Sequence, residues 1–485
     1  MATLTKPKKP HIPTTTTTTK KTKLLSLLSL LITLTFLSLH FSSSSTTTTS
    51  NSSSPWSGDL RLAQFPWNRL PFPDHSPPPA TLKIAVFSRK WPVAASAPGG
   101  MERHARTLHS ALSRRGHRVH VYTSAPHAPP SPGDPLVHVI DAPPGKWRPN
   151  DAWALFEAEH HREPFDAVHS ESVALPHALA RGVRNLAVTW HGVALESLHS
   201  RIYQDLARDP AREPMSDAFN RTLSASMHKV LDEIRFFRSY AHHVAISDSA
   251  GEMLRDVYQI PPSRVHVILN GVDEREFGPD AGLGRAFRAE HGVPEDARLV
   301  MGVAGRLVKD KGHPLLYEAF ARVARAREGV YLVVAGAGPW ARRYEELGPR
   351  VRAIGALPPS KLKGFYNALD VFVNPTLRPQ GLDLTLMEAM RCGKPVMATR
   401  FPSIRGSVVV EAEFGFMFAP NVEAMVEVIE AAAEEGPRRL AERGRACAEY
   451  AREMFGARRM AMAYERLFLC IKDEMFCGFP LKFDY

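Results

Sequence analysis

The sequence predicts an α/β protein built from two facing Rossmann-like domains, each with a doubly wound parallel sheet. From Thr81 onward, short apolar runs alternate with amphipathic stretches, which is the pattern of parallel strands joined by helices. Two such series are separated by 270–296, a stretch rich in Gly, Pro and charged residues. Because ligands of these sheets bind beyond the carboxyl ends of the strands, we expect the functional site in the cleft between the domains.

The strands of each domain are predicted from the short apolar runs. Those of the first domain are predicted at 83–87, 118–122, 167–169, 186–190, 244–246 and 265–269. Those of the second are predicted at 299–303, 331–335, 351–354, 371–373 and 395–399. Helices follow residue 421, and we expect the last one, at about 457–472, to cross back onto the first domain.

The first 80 residues differ in composition from the remainder of the 485-residue chain. Residues 1–23 contain six lysines and no acid, and 24–41 are mostly Leu without Lys, Arg, Asp or Glu. A helix over 24–41 rises about 27 Å, enough to cross a thin endomembrane bilayer. We therefore predict a basic cytosolic tail (1–23), a type II signal anchor (24–41) in the Golgi membrane and a disordered stem (42–80) rich in Ser, Thr and Pro.

Other readings of this N-terminal region stay open. A cleaved signal peptide and a chloroplast transit peptide compete with the anchor, and another endomembrane competes with the Golgi. The anchor is favoured because the basic region is long, no small-residue cleavage site follows the apolar run, and Leu is dense within it. In a lumen, the sequons at Asn51 and Asn220 would be available for glycosylation.

Charge and cysteine usage exclude two classes of site. The net charge is +11, but six lysines lie in the tail, which leaves 11 − 6 = +5 for the rest. That excess suits a protein that handles phosphorylated ligands, so no nucleic-acid partner is expected. The cysteines lack zinc spacing; Cys470 and Cys477 either form a disulfide in an oxidising lumen or remain thiols.

The most informative motif lies between an apolar strand, 299–303, and a helix. Gly305 and Gly312 permit close backbone approach, while Arg306 and Lys311 supply two fixed cations, as binding of a diphosphate requires. The sequence has no Gly-x4-Gly-Lys-Ser/Thr loop, which argues against a nucleoside triphosphatase. A solvated turn between strand and helix is the plain alternative.

Three segments of the second half, 303–312, 334–339 and 375–399, resemble the donor-binding domain of the retaining glycosyltransferases of family 4, which adopt the GT-B fold. The resemblance implies an N-terminal acceptor-side domain (81–280), a C-terminal nucleotide-sugar domain (281–455) and a C-terminal crossing helix and tail (456–485). It also implies transfer of a sugar from a nucleoside diphosphate, with UDP favoured, to a glycan or other lumenal acceptor with retention of configuration. No cofactor beyond that substrate is expected.

The same resemblance implies roles for individual residues. Arg306 and Lys311 would hold the diphosphate and stabilise it as it leaves, and Glu388 would bind the ribose, with helix capping as its plain alternative. The expected donor-binding set comprises Gly305, Arg306, Lys311, Gly336, Gly338, Gln380, Gly381, Leu382, Asp383, Leu384 and Glu388.

Two positions depart from the family pattern. Gln380 stands where the family has a Glu that contacts the transferred sugar, and Asp383 stands where it has a Gly. An amide can accept and donate hydrogen bonds but carries no charge to stabilise a cationic sugar. These changes motivate the competing hypothesis of a catalytically silent GT-B protein that binds sugars or partners.

The first half resembles the acceptor domain less closely. Gly99 and Gly100 open a helix whose amides could face a phosphate or an acceptor group, or they form a flexible loop. His191 ends a strand at the cleft and is the candidate for positioning the donor sugar, with a structural role as the alternative. Ser247 resembles a family position where an N-cap is equally expected.

Metal and nicotinamide chemistry are both disfavoured by the sequence. No Asp-x-Asp signature appears near a strand end of the donor half, and two cationic side chains can replace a divalent ion in charge terms. We therefore predict metal-independent transfer and no metal ligands. A dehydrogenase needs Gly-x-Gly-x-x-Gly, but Ala341 stands where the third Gly belongs.

Overall fold

The computed structural model describes residues 56–65, 68, 70, 77–92, 99–124, 133–143, 146–206 and 217–480. The predicted cytosolic tail and signal anchor, 1–41, lie outside these residues and stay predictions. Within the described ranges, none of the helices combines the length and the apolar character needed to traverse a bilayer.

The strands are numbered along the chain. They are β1 (Gly58–Asp59), β2 (Lys83–Lys90), β3 (Arg118–Ser124), β4 (Leu136–Ile140), β5 (Ala167–Glu171), β6 (Leu186–Trp190), β7 (His242–Ala245), β8 (Val265–Val267), β9 (Leu299–Ala304), β10 (Val330–Ala335), β11 (Val351–Gly355), β12 (Val371–Asn374), β13 (Val396–Thr399), β14 (Gly415–Phe418) and β15 (Gly478–Phe479).

The α-helices are numbered in the same way. They are α1 (Gly100–Arg114), α2 (Pro149–Arg162), α3 (His177–Ala180), α4 (Ala194–Leu206), α5 (Asp217–Phe237), α6 (Asp248–Glu252), α7 (Ala281–Glu290), α8 (His313–Ala326), α9 (Ala341–Glu345), α10 (Pro359–Ala368), α11 (Leu384–Arg391), α12 (Pro402–Ser407), α13 (Val422–Met454) and α14 (Ala457–Lys472).

Two parallel sheets form the core of the molecule. One has seven strands in the order β4-β3-β2-β5-β6-β7-β8, and the other has six in the order β11-β10-β9-β12-β13-β14. Central strands are buried on both faces: every residue from Ile84 to Phe87 is fully buried, as expected where helices cover both sides. The prediction of two doubly wound parallel sheets is confirmed.

One edge strand in each of the two large sheets was not predicted from the sequence. β4 lies at the edge of the first sheet and is mostly half-exposed, while β14 is a four-residue edge strand that begins at Gly415. Short edge strands bury less apolar surface than central ones, so their apolar runs are weaker signals.

The crossing helix α14 belongs to the core of the first domain. Its residues Tyr464, Leu467 and Phe468 are fully buried beside Leu108 and Leu112 of α1. The chain passes between the domains twice in adjacent segments, because Val272 pairs with Phe455 (N to O, 2.9 Å) and with Ala457 (O to N, 3.0 Å).

A buried ion-pair network fixes α14 to the first domain. The carboxylate of Glu465 accepts hydrogen bonds from Arg115 Nε at 2.6 Å and Nη2 at 2.8 Å, and lies 2.8 Å from His117 Nε2. Burial alone would raise the pKa of Glu465, but the contacts with His117 and Arg115 outweigh it and hold the pKa below its ordinary value.

We expect Glu465→Gln to lower the free energy of unfolding by about 1–2 kcal/mol at neutral pH, because the amide oxygen lacks the negative charge that pairs with the Arg115 guanidinium. A carboxyl whose folded-state pKa is depressed stabilises above its unfolded pKa of about 4.3 and loses that contribution as pH falls. Urea unfolding of both proteins between pH 7 and pH 3 should therefore show the difference shrinking below about pH 4. A difference that does not change with pH would contradict the ionic origin.

The predicted disordered stem, 42–80, is wrong for its described C-terminal part. Leu60 and Phe65 are fully buried in the core that contains α14, and β1 pairs antiparallel with β15. Asn68 is buried and its side chain receives a hydrogen bond from Leu269 N at 3.1 Å. The composition of this proline-rich stretch did not indicate the packing, because only a few isolated apolar residues in it are buried.

Of the two states that the sequence left open for Cys470 and Cys477, disulfide or thiols, the structure has the disulfide. Cys470 at the end of α14 is bonded to Cys477, seven positions along the chain. Cys392 and Cys447 are buried free thiols.

Candidate active site

A cavity of about 530 Å³ lies between the carboxyl ends of the two sheets. It is lined from both domains, as expected for facing doubly wound sheets. The predicted site residues that line it are Gly99, Gly100, His191, Gly305, Arg306, Lys311, Gly381, Leu382, Asp383 and Leu384. Four predicted residues, Gly336, Gly338, Gln380 and Glu388, are not part of this lining.

The loop after β9 brings two cations to the cavity. Gly305 has φ +123° and Gly312 has φ +75°, and a Cβ on Gly312 would lie 1.7 Å from Pro375 O. Only glycine permits that approach of the loop to the end of β12. Arg306 is exposed to the cavity, and no acid among the described residues forms an ion pair with it.

Gly336 and Gly338 pack closely against the backbone of this loop. A Cβ on Gly336 would lie 1.9 Å from Gly305 O, and one on Gly338 would lie 2.5 Å from Leu307 O. These glycines therefore allow the chain after β10 to pack against the cationic loop. His313 adds a second support, since its ring nitrogens contact Arg306 O at 3.2 Å and the hydroxyl of Tyr344 at 2.8 Å.

Lys311 is not a free cation. Its ammonium forms a short ion pair with Asp383, the residue that precedes α11. Asp383 also accepts a hydrogen bond from Asn374 Nδ2 at 3.1 Å. Burial opposes ionisation of Asp383, but Lys311 outweighs it and lowers the pKa of the carboxyl. The departure noticed in the sequence thus places a carboxylate within the cationic end of the cavity.

Glu388 has partners on both sides of the cleft. It is fully buried, pairs closely with Arg103 of α1 and accepts a 2.6 Å hydrogen bond from the Tyr366 hydroxyl. A nucleotide ribose that reached this carboxylate would have to replace Arg103. Capping does not explain Glu388, because it lies within α11 rather than at its first turn.

Gln380 turns away from the main cavity. Its Oε1 is buried and has no hydrogen-bond partner in the part of the chain that the structure describes. The residue lines a small pocket with Trp190 and Glu196 of the first domain. Its carbonyl accepts a 3.2 Å hydrogen bond from Ser247, whose hydroxyl also caps α6. The same loop is held by Arg378, whose Nε lies 2.9 Å from buried Glu196.

The N-terminus of α1 faces the cavity through Gly99 and Gly100. The space beside Gly99 is occupied by Glu102, because a Cβ on Gly99 would lie 2.5 Å from a Glu102 carboxylate oxygen. A carboxylate at a helix N-terminus repels an anion, which argues against a phosphate beside Gly99.

His191 is held by a buried carboxylate at the end of β5. Its Nε2 lies 2.6 Å from Glu171 Oε2, while His109 Nε2 lies 3.0 Å from Glu171 Oε1. The ring of His104 is stacked edge-on against His191 with centroids 4.6 Å apart. His169 Nδ1 lies 3.2 Å from His109 Nε2, so four imidazoles surround one carboxylate.

Burial controls the protonation of this cluster. Desolvation lowers the pKa of His104 and of His169 to about 3, so both rings are neutral at physiological pH. Burial opposes ionisation of Glu171 as well, but the hydrogen bonds with His109 and His191 outweigh it and hold the pKa of Glu171 well below the ordinary value. The carboxylate therefore stays charged.

Several residues of the site were missed in the sequence. Arg103, His313 and Arg378 line the cavity, and Glu171 orients His191. Arg103 stands three positions after Gly100, and Arg378 two positions before Gln380, so both adjoin motifs already identified. Nothing in the sequence around Glu171 indicates its partners, because the contacts come from β6 and α1.

Two families of known proteins match the chain, one in each of the domains that line the cavity. The family described as "Glycosyl transferases group 1" matches residues 285–454, and "Glycosyltransferase Family 4" matches residues 98–276. Together with the two facing sheets, these matches define the class: the chain is a glycosyltransferase with the GT-B fold.

Sequence identity to individual relatives is low, but the alignments cover most of each chain. The chain is similar to an uncharacterized glycosyltransferase of Methanocaldococcus jannaschii, 25% identical over 71% of this chain and 87% of the relative. It is also similar to D-inositol 3-phosphate glycosyltransferase of Kineococcus radiotolerans, 29% identical over 64% and 75% of the two chains. Sucrose-phosphate synthase from Thermosynechococcus elongatus shares the fold, with a TM-score of 0.62, 20% identity, and 80% and 98% coverage.

Proposed function

We propose that the protein transfers a sugar from a nucleoside diphosphate to a lumenal acceptor with retention of anomeric configuration. The observation that carries the proposal is the position of Arg306 on the donor side of the cavity, opposite His191 on the acceptor side, with no acid of the described residues paired to its guanidinium. A fixed cation where negative charge develops stabilises a departing diphosphate.

The residues of the cavity suit the two halves of this reaction. Arg306 and Lys311 would bind the diphosphate, and His191 would hydrogen-bond a donor-sugar hydroxyl. The bond between the anomeric carbon and the phosphate oxygen breaks, and the acceptor oxygen bonds to that carbon on the same face. The acceptor proton passes to the departing phosphate oxygen, so the proposal needs no general base from the protein.

Donor choice can be tested on the purified full chain. Thermal shifts with UDP, GDP and ADP would identify the base, because a ligand that binds only the folded state raises the unfolding temperature. The matching nucleotide sugars are then assayed for release of the nucleotide, with and without a panel of acceptors that includes D-inositol 3-phosphate. Anomeric configuration of the product, read by NMR, tests retention; inverted product would refute that part.

A catalytically silent protein is the second candidate, and three features of the site favour it. Asp383 pairs with Lys311, Arg103 pairs with Glu388, and Gln380 turns away from the main cavity. Each removes a group that the transfer reaction would use. Nucleotide binding without turnover on any donor would support this candidate, whereas slow donor hydrolysis would support the enzyme.

We also propose that the folded part lies in an oxidising lumen behind a membrane anchor at 24–41, in the Golgi or another endomembrane. The basic and apolar segments of residues 1–41 support this orientation, and so does the disulfide between Cys470 and Cys477, since such bonds persist in oxidising compartments.

Removal of the disulfide should have a measurable cost. We expect Cys470→Ser with Cys477→Ser to lower the free energy of unfolding by about 2.5 kcal/mol, the loop-entropy value for a loop this short. Reductant should have a similar effect on the natural protein and none on the double variant, as measured by urea unfolding. Equal sensitivity of both proteins to reductant would show that no disulfide forms.

A further inference from the structure

The histidine cluster beside the cavity has a feature that glycosyl transfer does not explain. His104 is 1% exposed, yet neither of its ring nitrogens has a hydrogen-bond partner among the described residues. A buried polar atom without a partner costs free energy, so such a side chain needs a reason to remain. Its ring faces His191, which in turn contacts Glu171.

We propose that His104, Glu171 and His191 bind a transition-metal dication of the Zn²⁺ class. One ligand atom from each residue lies within 4.8 Å of the others. Metal–ligand distances of about 2.0–2.2 Å place the ligand atoms of a tetrahedral site roughly 3.4 Å apart, so small side-chain rotations suffice. Two imidazoles and one carboxylate form a donor set that zinc accepts.

The surroundings of the three ligands resemble those of a metal site. Glu171 is buried and charged, and its second oxygen is held by His109 at 3.0 Å. His109 in turn contacts His169, whose other nitrogen lies 2.8 Å from Thr189 Oγ1. Outer hydrogen bonds of this kind fix the orientation of ligating carboxylates and tune the affinity for the metal.

A second combination, His109, His169 and Glu171, is less suitable. His109 Nε2 already contacts both Glu171 Oε1 at 3.0 Å and His169 Nδ1 at 3.2 Å, although His109 Nδ1 has no partner among the described residues. All three side chains are fully buried. His191, by contrast, is 13% exposed and lines the cavity. A metal on the first combination would therefore have an open coordination position toward the cavity, where water or a hydroxyl of a bound ligand could enter.

The sequence offered no sign of this site, because its ligands come from α1, β5 and the end of β6. It is distinct from the diphosphate end of the cavity, where charge is supplied by Arg306 and Lys311. Metal binding is measured without any substrate, so its failure and the failure of the proposed transfer activity are separate results.

The test uses the purified full chain after treatment with a chelator. Titration with Co²⁺ should give visible absorption bands that saturate at one equivalent and are displaced by Zn²⁺. We expect His104→Phe to weaken binding at least tenfold while leaving the unfolding temperature unchanged or higher, since His104 loses no hydrogen bond. His109→Phe should weaken binding about 10- to 100-fold through the carboxylate that it orients.

His242→Phe is the matched control. His242 lies on the same sheet and contacts another imidazole, His266, at 3.3 Å. Among the described residues, no carboxylate joins these two rings in a metal-binding group. Its variant should bind Co²⁺ as the natural protein does. Absence of saturable binding would overturn the proposal, and so would binding that survives His104→Phe.

Discussion

Arg306→Ala should reduce kcat/KM for donor turnover by roughly tenfold to several hundredfold. The guanidinium is the cation of the cavity that no described acid neutralises, so its full charge is available to the diphosphate. Each charge-assisted hydrogen bond that it makes is worth about 1.5–3 kcal/mol, which converts to this range of rates. The measurement is steady-state release of nucleotide from the preferred donor.

Arg342→Ala provides the control for loss of a positive charge. Arg342 is exposed on α9 in the same domain and does not line the cavity. Its variant should retain turnover within about twofold. The unfolding temperature of Arg306→Ala should match that of the natural protein, because an exposed unpaired side chain contributes little to stability. Unchanged turnover in Arg306→Ala would reject its assignment to the diphosphate.

The architecture could be predicted from sequence because parallel strands covered on both faces give continuous apolar runs. The central strands β2, β9 and β12 all began where these runs were predicted to begin. The packing of the segment before β2 could not be predicted, because it depends on a few isolated apolar residues. Leu60 and Phe65 stand in a proline-rich stretch, and only their burial against α14 reveals that this part of the predicted stem is packed.

The candidate site likewise has a part that could be predicted from the sequence and a part that could not. Gly305, Arg306 and Lys311 are contiguous, so their spacing predicts a cationic loop at the end of a strand. The pairings of Glu388 with Arg103 and of Gln380 with Ser247 cross the cleft between domains. Local patterns carry no information about such contacts, since they depend on how the two domains meet.

Asp383→Asn should tighten binding of UDP, or of whichever nucleoside diphosphate the protein prefers, by about tenfold to a hundredfold. The natural carboxylate neutralises Lys311 and stands at the N-terminus of α11, where a diphosphate would otherwise find two cations and a helix dipole. Two unit charges about 6 Å apart interact by roughly 3 kcal/mol at an effective dielectric of 20, and partial screening reduces this. The amide keeps nearly the same shape while it removes the repulsion.

Isothermal titration at two salt concentrations would separate charge from shape. The gain of Asp383→Asn should shrink at high salt because screening weakens the repulsion that the variant removes. Glu318→Gln, an exposed change on α8, removes one negative charge away from the cavity and should leave affinity unchanged. If Asp383→Asn instead binds the nucleotide no better and loses turnover, then Asp383 contacts the sugar hydroxyls, and the departure from the family pattern determines the donor sugar rather than weakening the diphosphate site.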